Sequence, residues 1–455
     1  MKTLSTRRNF LKSAGAAGAA LVGSLDTSNA LANECKFSTL PADFVYLNSG
    51  TEGSMPDCVI ATLKNALNKW ASDPTTSYEL DPVLGKHQEL NRSKVAEFLG
   101  VKTNNICLTD NTTMGLSMTL MGLNFRPNDR VVMTNHEHTA IRSPLSVLRD
   151  RMGLQIETRS FPSAETLGRI SEIELLDALF PDSATLRGAK ALCVSHVYPT
   201  TGVRLPLRAL RKKADELDIR YLIVDGAQAL GMVDLTSHDD GIDNSDFYAC
   251  PGHKWLNGPP STGVLYIRNA GIRPPEFYPT ISQRMEKYAD CGDESQSCFP
   301  VTTALQVRGC SNAPGFEAMI TAMNFAQAAG GPQQVEKHIL ALSRNVKNFL
   351  LLQAPHCVVS PHSDAALSSG LTTFFPFKWD QPQQFYRDKK TADWVVEELL
   401  KKNIQVRSIG FQDPGSTDTA NEELYVIRVS TGYLNTSHDI ARLFSGLQSV
   451  LQRVG

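Results

Sequence analysis

The segment Tyr221-Leu-Ile-Val-Asp225-Gly226-Ala227-Gln228 decides the fold. An apolar, strand-forming run ends in a carboxylate and then turns at a glycine, a pattern typical of a buried strand whose carboxyl end meets a binding site. Burying a carboxylate is costly unless it is paired, so Asp225 predicts a cationic or hydrogen-bonding partner at this position. The competing interpretation is a helix N-cap after a strand, and this segment alone does not decide between the two.

Short β-rich runs separated by helical patterns lie on both sides of this segment. Buried strands that alternate with helices predict an α/β fold with a mostly parallel sheet covered on both faces. The predicted strands are Asn105–Leu108, Arg130–Thr134, Ala189–His196, Tyr221–Asp225, Asp246–Cys250 and Gly263–Ile267, and the helices between them include Thr113–Gly122 and Pro206–Leu217.

The pattern changes after Pro314, where a long helical stretch begins. The predicted elements are a helical region over Gly315–Leu352, strands at Gly370–Phe377 and Leu424–Ser430, and helices at Thr391–Lys402 and Ser437–Arg453. This predicts a small α+β domain over residues 314–455, after a large domain over residues 56–313. Residues 33–55 are predicted to be an N-terminal segment that packs with the small domain.

Length and charge limit the possible functions. The chain has 455 residues, 42% hydrophobic and 20% charged, which predicts a globular protein of two or three domains. The net charge is −2, and the part after residue 32 is more acidic than that, so a nucleic-acid partner is not expected. No apolar run reaches the roughly 20 residues that span a bilayer, so stable membrane anchoring is not expected.

The first 32 residues contain the parts of an export signal in the expected sequence order. Arg7-Arg8 is followed by an apolar stretch, Ala14–Leu25, and then by Ala30-Leu31-Ala32, which offers small residues for a signal peptidase. We therefore expect passage through the twin-arginine export machinery, cleavage near Ala32 and a periplasmic protein. A surface helix with an accidental arginine pair is the weaker interpretation.

The nine cysteines include no C-x-x-C motif, and Cys291 and Cys298 are candidates for a disulfide in an oxidising compartment.

A lysine follows the next strand along the chain. The segment Gly252-His253-Lys254-Trp255 lies in a predicted turn that also contains Pro251, Pro259 and Pro260. Lys254 is 29 residues after Asp225. A lysine held among apolar neighbours has a lowered pKa and becomes a nucleophile towards aldehydes. The alternative is a solvated lysine in a surface loop.

Three further segments carry polar side chains at predicted element ends. Thr112 and Thr113 begin a helix, which predicts either a phosphate site or a plain cap. His138 closes a strand and could stack on a planar ring, whereas His136, His138 and His196 together would suit a metal. Arg428 lies on a strand and would suit a substrate carboxylate or a surface salt bridge.

These motifs, in this order, resemble the class V aminotransferase family of fold-type I pyridoxal 5′-phosphate (PLP) enzymes, over nearly all of the chain after the signal. The resemblance implies a large domain with a mostly parallel seven-stranded sheet, a smaller α+β C-terminal domain and a homodimer. It implies a Schiff base at Lys254, a pyridine-nitrogen partner in Asp225 and ring stacking by His138. The other implied contacts are Thr112, Thr113 and His253 with the phosphate, Gln228 with the phenolate oxygen, Cys310 and Ser311 with the partner's phosphate site, and Arg428 with Asn48 for the substrate.

Two departures from the family pattern are informative. Pro199 stands where many relatives have an asparagine near the cofactor oxygen. The segment Val406–Pro414, which aligns with the thiol-bearing loop of cysteine desulfurases, contains no cysteine, so a Cys-type desulfurase is excluded. Lys254-Trp255-Leu256 and Ser195-His196 resemble the isopenicillin-N-epimerase-like branch, whose secreted members include a periplasmic enzyme of pyoverdine (siderophore) maturation.

The resemblance therefore implies a periplasmic PLP-dependent aminotransferase or epimerase. It would act at the amino-bearing carbon of an amino acid or peptide-like metabolite, as in siderophore modification. The alternatives are a PLP-dependent C–S or β-elimination lyase, a non-catalytic PLP-fold binding protein, and a periplasmic metalloenzyme built on His136, His138 and His196.

Overall fold

The computed structural model describes residues 36–74, 86–282, 299–412 and 423–454. The expected export signal lies outside these residues, as do Cys291, Cys298, Asp413 and Pro414. Within the described ranges, no helix is long and apolar enough to cross a membrane.

A seven-stranded sheet forms the centre of the described structure. Its strands are β2 (Ile106–Thr109), β3 (Arg130–Thr134), β4 (Gln155–Arg159), β5 (Ala191–Ser195), β6 (Tyr221–Asp225), β7 (Phe247–Pro251) and β8 (Gly263–Ile267). They lie in the order β2-β8-β7-β6-β5-β3-β4, and β8 alone runs antiparallel to its neighbours. The predicted mostly parallel α/β sheet is confirmed.

Both faces of this sheet are buried. Along β6, Leu222 and Val224 belong to one apolar core and Ile223 belongs to another on the opposite face. This alternation is expected for a strand whose side chains point to opposite faces, each covered by helices. The helices of this part are α1 (Asp57–Ser72), α2 (Lys86–Phe98), α3 (Thr112–Gly122), α4 (Thr139–Met152), α5 (Ala164–Leu167), α6 (Glu172–Leu179), α7 (Leu207–Glu216) and α8 (Val301–Gln306).

The edge strand β4 was not predicted from the sequence. Its residues Gln-Ile-Glu-Thr-Arg are polar or charged at most positions and remain partly exposed. An edge strand that faces solvent lacks the continuous apolar run by which the buried strands were recognised.

The C-terminal part is an α+β unit with its own apolar core. Strands β13 (Arg407–Gln412) and β14 (Glu423–Ser430) pair antiparallel, and β9 (Leu371–Phe374) pairs with the other side of β14. The N-terminal strand β1 (Val45–Tyr46) pairs with β12 (Ile404–Gln405), so residues near the start of the chain lie beside this unit. The remaining elements are β10 (Phe377–Lys378), β11 (Gln381–Phe385), α9 (Ala313–Ala328), α10 (Gly331–Gln353), α11 (Lys389–Leu400) and α12 (Ser437–Leu451).

The helical stretch expected over Gly315–Leu352 is interrupted. Gly330 and Gly331 have φ of 106° and 82°, in the left-handed region that favours glycine, and Pro332 lies in the first turn of α10. The chain therefore turns between α9 and α10. The boundary predicted at residues 313 and 314 falls at the start of α9, and this helix packs against α1 and α2.

Candidate active site

A cavity lies where several strands of the central sheet end. Asp225 at the end of β6 is in register with Ser195 of β5 and Ala249 of β7. The segments that follow these strands reach the same cavity, and β13 and β14 of the C-terminal unit close its other side. Its lining includes Gly50, Thr51, Asn111, Thr112, Thr113, His138, Ser195, Pro199, Asp225, Gln228, His253, Lys254, Arg407, Ile409 and Arg428.

Lys254 lies in a tight turn directly after β7. The amide of Gly258 donates to the Gly252 carbonyl (2.8 Å), and the amide of Asn257 donates to the Lys254 carbonyl (3.0 Å). Burial lowers the pKa of Lys254; nearby arginines lower it further, while Asp225 opposes the shift. A lysine with a lowered pKa spends more time as the neutral amine, which is the nucleophilic and proton-accepting form.

The N-terminal segment presses against this turn. The amide of Gly53 donates to the His253 carbonyl (2.7 Å), and a Cβ placed on Gly53 would lie 2.0 Å from the Lys254 carbonyl oxygen. Only a residue without a side chain permits this approach. The lysine backbone is therefore held from two sides.

Asp225 is buried at the floor of the cavity, 2% exposed. One carboxylate oxygen accepts a hydrogen bond from the amide of Ala227 (2.8 Å). Burial raises the pKa of Asp225, while that hydrogen bond and the charges of Lys254 and His138 lower it. A protonated ring nitrogen would be a suitable partner for this carboxylate, as the sequence predicted.

The amide of Gln228 is oriented by two fixed contacts. Trp255 Nε1 donates to Gln228 Oε1 (2.8 Å), and Gln228 Nε2 donates to the Gly50 carbonyl (2.9 Å). Because the indole is a donor only, the oxygen of Gln228 must face Trp255 and its NH2 group must face the other way. The second hydrogen of Nε2 remains for a ligand oxygen. Trp255, whose predicted place was that of an apolar neighbour of Lys254, is thus a positioning residue.

We expect Trp255→Phe to lower the turnover of the PLP-loaded enzyme about fivefold to tenfold, because one neutral hydrogen bond contributes roughly 1 kcal/mol. Without the indole donor, the Gln228 amide is free to rotate, and the visible absorption of bound cofactor should change as well. Absorption spectra and steady-state kinetics would measure both effects. Trp394→Phe, on α11 beside Arg453, is the matched control. An unchanged spectrum in Trp255→Phe would contradict the orienting role.

The N-terminus of α3 carries the predicted phosphate donors. Asn111 caps the helix by accepting from the Met114 amide (2.9 Å), which leaves the first turn open towards the cavity. Thr112 Oγ1 and His253 Nδ1 are buried without a hydrogen-bond partner among the described residues. Orphaned donors at a helix start form an anion site. These residues fit a phosphate group, and Thr113 also lines the cavity.

His138 lies at the start of α4, exposed at the cavity. Its Nδ1 accepts from the Ala140 amide (3.2 Å), which fixes the ring at the helix N-terminus. The ring thus lies at the cavity, and its predicted stacking on a planar ligand stays a prediction.

Beside it, Glu137 is buried among three hydroxyl groups. Thr134 Oγ1 (2.7 Å) and the Tyr198 hydroxyl (2.8 Å) donate to one carboxylate oxygen, and Ser195 Oγ (2.7 Å) donates to the other. Burial raises the pKa of Glu137 to about 7, although the hydroxyl groups oppose that shift. Since Ser195 also lines the cavity, Glu137 is a buried acid one residue removed from the site. No role for Glu137 was predicted from the sequence.

The raised pKa of Glu137 predicts a pH dependence of stability. Its carboxyl is easier to protonate in the folded protein than at its ordinary value of 4.5. Its contribution to stability is therefore full below pH 4.5 and is lost as the pH rises through about 7, a change of roughly 3 kcal/mol. Glu137→Gln should flatten this part of the stability curve, measured by denaturant unfolding from pH 4.5 to 8. The exposed Glu97→Gln is the control, and an unchanged slope in Glu137→Gln would refute the assignment.

Arg428 lines the cavity and is buried, 2% exposed. One of its guanidinium nitrogens donates to Thr51 Oγ1 (2.6 Å) and Asn48 Oδ1 (3.3 Å), and another donates to the Pro199 carbonyl (3.5 Å). The structure thus brings the predicted pair Arg428 and Asn48 together. It also brings the backbone of Pro199 into contact with the arginine.

Cys310 and Ser311 do not line this cavity. Cys310 is exposed, and the neighbouring Arg308 has a guanidinium nitrogen 3.6 Å from a carboxylate oxygen of Asp110. Asn312 caps α9 and donates to the Ser261 carbonyl (3.2 Å). Their predicted contact with a partner subunit's phosphate site stays a prediction.

The histidines of the metalloenzyme alternative have other partners. His196 Nδ1 lies 2.8 Å from the Tyr248 hydroxyl and Nε2 lies 2.9 Å from an Asp240 carboxylate oxygen. His136 stacks on Phe161, with ring centroids 4.8 Å apart. The described part of the chain contains no cluster of three or more His, Cys, Asp or Glu that could hold a metal ion. The metal alternative thus has no ligand set here.

Comparison with known proteins agrees with this geometry. The family model for aminotransferase class V matches residues 45–443. The chain belongs to the aminotransferase class V family. It is 25% identical to an isopenicillin N epimerase of Streptomyces clavuligerus, over 89% of this chain and 94% of the relative. It is 26% identical to a probable cysteine desulfurase of Pyrococcus abyssi, over 58% of this chain but only 61% of the relative.

Solved structures share the fold of this class V chain. The cystine C–S lyase C-DES, in complex with cysteine persulfide, superposes with a TM-score of 0.70 at 23% identity, over 91% of this chain and 99% of that one. The cysteine desulfurase CsdA of Escherichia coli gives 0.68 at 20% identity, over 92% and 98%. The fold-type I architecture predicted from the motifs is confirmed, and PLP is the cofactor. The orphaned donors Thr112 and His253, the buried Asp225 and the half-buried Lys254 fit that group.

Proposed function

We propose that this class V enzyme moves a proton at the amino-bearing carbon of an amino acid or peptide-like metabolite, with epimerisation or amino transfer as the outcome. The observation that carries the proposal is one cavity that is lined by Lys254, with its lowered pKa, and by the buried Asp225 and Arg428. Siderophore modification is the biological setting that we infer, from the resemblance of the Lys254-Trp255-Leu256 segment.

Bound PLP withdraws electrons from the amino-bearing carbon and so acidifies its proton. Lys254 would hold the cofactor covalently and, once released from it, would take up and return that proton through Nζ. Asp225 would keep a positive charge on the ring nitrogen through its buried carboxylate. Thr112 and His253 would bind the phosphate, and Gln228 would donate its remaining hydrogen to the ring oxygen.

The substrate would be oriented through its carboxylate. Arg428 is held by neutral oxygens of Thr51, Asn48 and Pro199, so its positive charge remains for a ligand. A planar guanidinium binds carboxylate oxygens in pairs and fixes the direction of the bond to be broken. His138 would limit the rotation of the cofactor ring from its exposed position at the cavity.

Persulfide chemistry requires a cysteine thiol at the cavity, and none of the described residues supplies one. Four free cysteines are buried (Cys107, Cys193, Cys250 and Cys357), and the exposed Cys310 does not line the cavity. Of the segment compared with the thiol-bearing loop of desulfurases, Arg407–Gln412 form strand β13 here, and each of these six residues pairs with a residue of β14. We therefore propose proton transfer rather than sulfur transfer, although cysteine desulfurases are among the relatives.

We further propose a periplasmic homodimer exported through the twin-arginine pathway. Cys58 is disulfide-bonded, a bond that persists in oxidising compartments. A dimer would give a role to the Arg308–Asn312 loop, whose Cys310 and Ser311 lie away from the cavity of their own chain. Cell fractionation with and without the export machinery tests the location, and light scattering tests the dimer.

The test of the reaction is solvent exchange. Holoenzyme would be incubated with amino acids and short peptides in deuterated water, and the products would be analysed by mass spectrometry and chiral chromatography. Deuterium at the amino-bearing carbon, with inversion or a keto product, supports the proposal. Release of sulfide from cysteine without such exchange would overturn it.

A further inference from the structure

Two arginines face each other across strands β13 and β14. Arg407 and Arg428 are direct partners in this antiparallel pair, so their side chains leave the same face of the sheet. Like charges in this arrangement destabilise a sheet unless something compensates for them. Both side chains line the cavity that holds Lys254.

The two guanidinium groups converge on one hydroxyl oxygen. Thr51 Oγ1 accepts from a nitrogen of Arg407 (3.0 Å) and from a nitrogen of Arg428 (2.6 Å), and it donates to Asn48 Oδ1 (2.7 Å). The contacts of both guanidinium groups in the described ranges are neutral oxygens. Within that part of the chain, neither charge is neutralised by a carboxylate.

The electrostatic consequence is visible at the buried member of the pair. Burial lowers the pKa of Arg428 to about 9, and the charge of Arg407 contributes to the shift. Arg428 Nε is also buried without a partner among the described residues. This wall of the cavity therefore holds more positive charge than the described residues balance, which is the condition for binding anions.

We propose that Arg407 and Arg428 form a double anion site that selects substrates with two carboxylates. This rests on the proposed function, in which Arg428 binds the carboxylate beside the reacting carbon. Arg407 then binds a second carboxylate further along the substrate. One carboxylate would balance only one of the two cations.

The depths of the two side chains separate their roles. Arg428 is 2% exposed and contacts Asn48 and Pro199, whereas Arg407 is exposed at the surface of the same strand pair. A ligand that reaches both arginines extends from the buried wall towards solvent. The reacting end is therefore the inner one, and the second anion lies nearer the opening.

Binding of glutarate and of its monoamide to the PLP-loaded enzyme tests the site by calorimetry. Neither probe has an amino group, so the measurement does not depend on turnover. We expect the wild type to bind glutarate at least about tenfold more tightly than the monoamide, because a charge-assisted hydrogen bond between Arg407 and a second carboxylate is stronger than one to a neutral amide. Arg407→Gln should reduce this preference to less than about twofold, and Arg407→Lys should retain part of it because the charge remains.

The control is Arg151→Gln, an exposed arginine on α4 outside the cavity, which should keep the wild-type preference. Equal binding of both probes by the wild type overturns the double site. So does an equal weakening of both probes in Arg407→Gln, which would mean that the two arginines share one carboxylate. Borohydride reduction and peptide mapping of the same preparations report whether the cofactor is attached to Lys254, and absence of that attachment overturns the proposed function instead.

Discussion

Replacement of Lys254 by alanine is expected to abolish covalent attachment of PLP and to lower the exchange of the proton at the amino-bearing carbon by about 10³-fold, the range typical of removing a positioned general base. The turn that holds this lysine leaves its backbone in place, because the hydrogen bonds of Gly53, Asn257 and Gly258 use main-chain atoms. The loss should therefore be chemical rather than structural.

Absorption spectra and peptide mapping give the measurement. Wild-type protein should show a visible band that borohydride bleaches, and the mapped modification should lie on Lys254. The chain offers a stringent internal control in Lys347, which is also buried and whose pKa burial lowers to about 7. Lys347 instead donates to the Pro361 carbonyl (2.9 Å) and Ser368 Oγ (2.7 Å) and does not line the cavity. Labelling of Lys347, or a visible band in Lys254→Ala, would contradict the assignment.

The central fold was predictable because its strands are buried on both faces. Strands such as Arg130–Thr134, Tyr221–Asp225 and Gly263–Ile267 were placed at the residues where the structure has them. The polar edge strand at Gln155–Arg159 has no continuous apolar run by which it could be recognised. The break at Gly330 was not predicted, because the residues on both sides of it have helical patterns. Apolar runs identify strands in the middle of a sheet, whereas edges and turns depend on what packs around them.

Some residues of the candidate site could also be predicted from the sequence, and others could not. Residues directly at strand ends, such as Asp225 and Lys254, could be found because a polar residue after an apolar run is a local signal. Arg407 could not be identified as a candidate site residue, since its position at the cavity depends on the strand register that places it opposite Arg428. Glu137 was visible within a His-Glu-His motif, but its burial among three hydroxyl groups depends on residues from other strands.

Removal of charge at Asp225 should have the second large effect. We expect Asp225→Asn to lower proton exchange about 10²- to 10³-fold while Lys254 still binds the cofactor covalently. A nearby opposite charge shifts a pKa by 1–3 units, and each unit corresponds to about 1.4 kcal/mol. An asparagine can still accept from the Ala227 amide, as Asp225 does at 2.8 Å, so the turn should remain intact while the carboxylate that favours a protonated ring nitrogen is lost.

The discriminating control is Asp225→Glu, which keeps the charge but moves the carboxylate by one methylene. If charge is what matters, Asp225→Glu should retain more activity than Asp225→Asn, and the absorption of the bound cofactor in Asp225→Asn should change with pH in a range where the wild type does not. If geometry alone matters, Asp225→Glu should be the more damaged variant, because the longer side chain moves the carboxylate from the position that Asp225 holds against the Ala227 amide. Equal rates of proton exchange in Asp225→Asn and wild type would show that the charge of Asp225 has no role in the reaction.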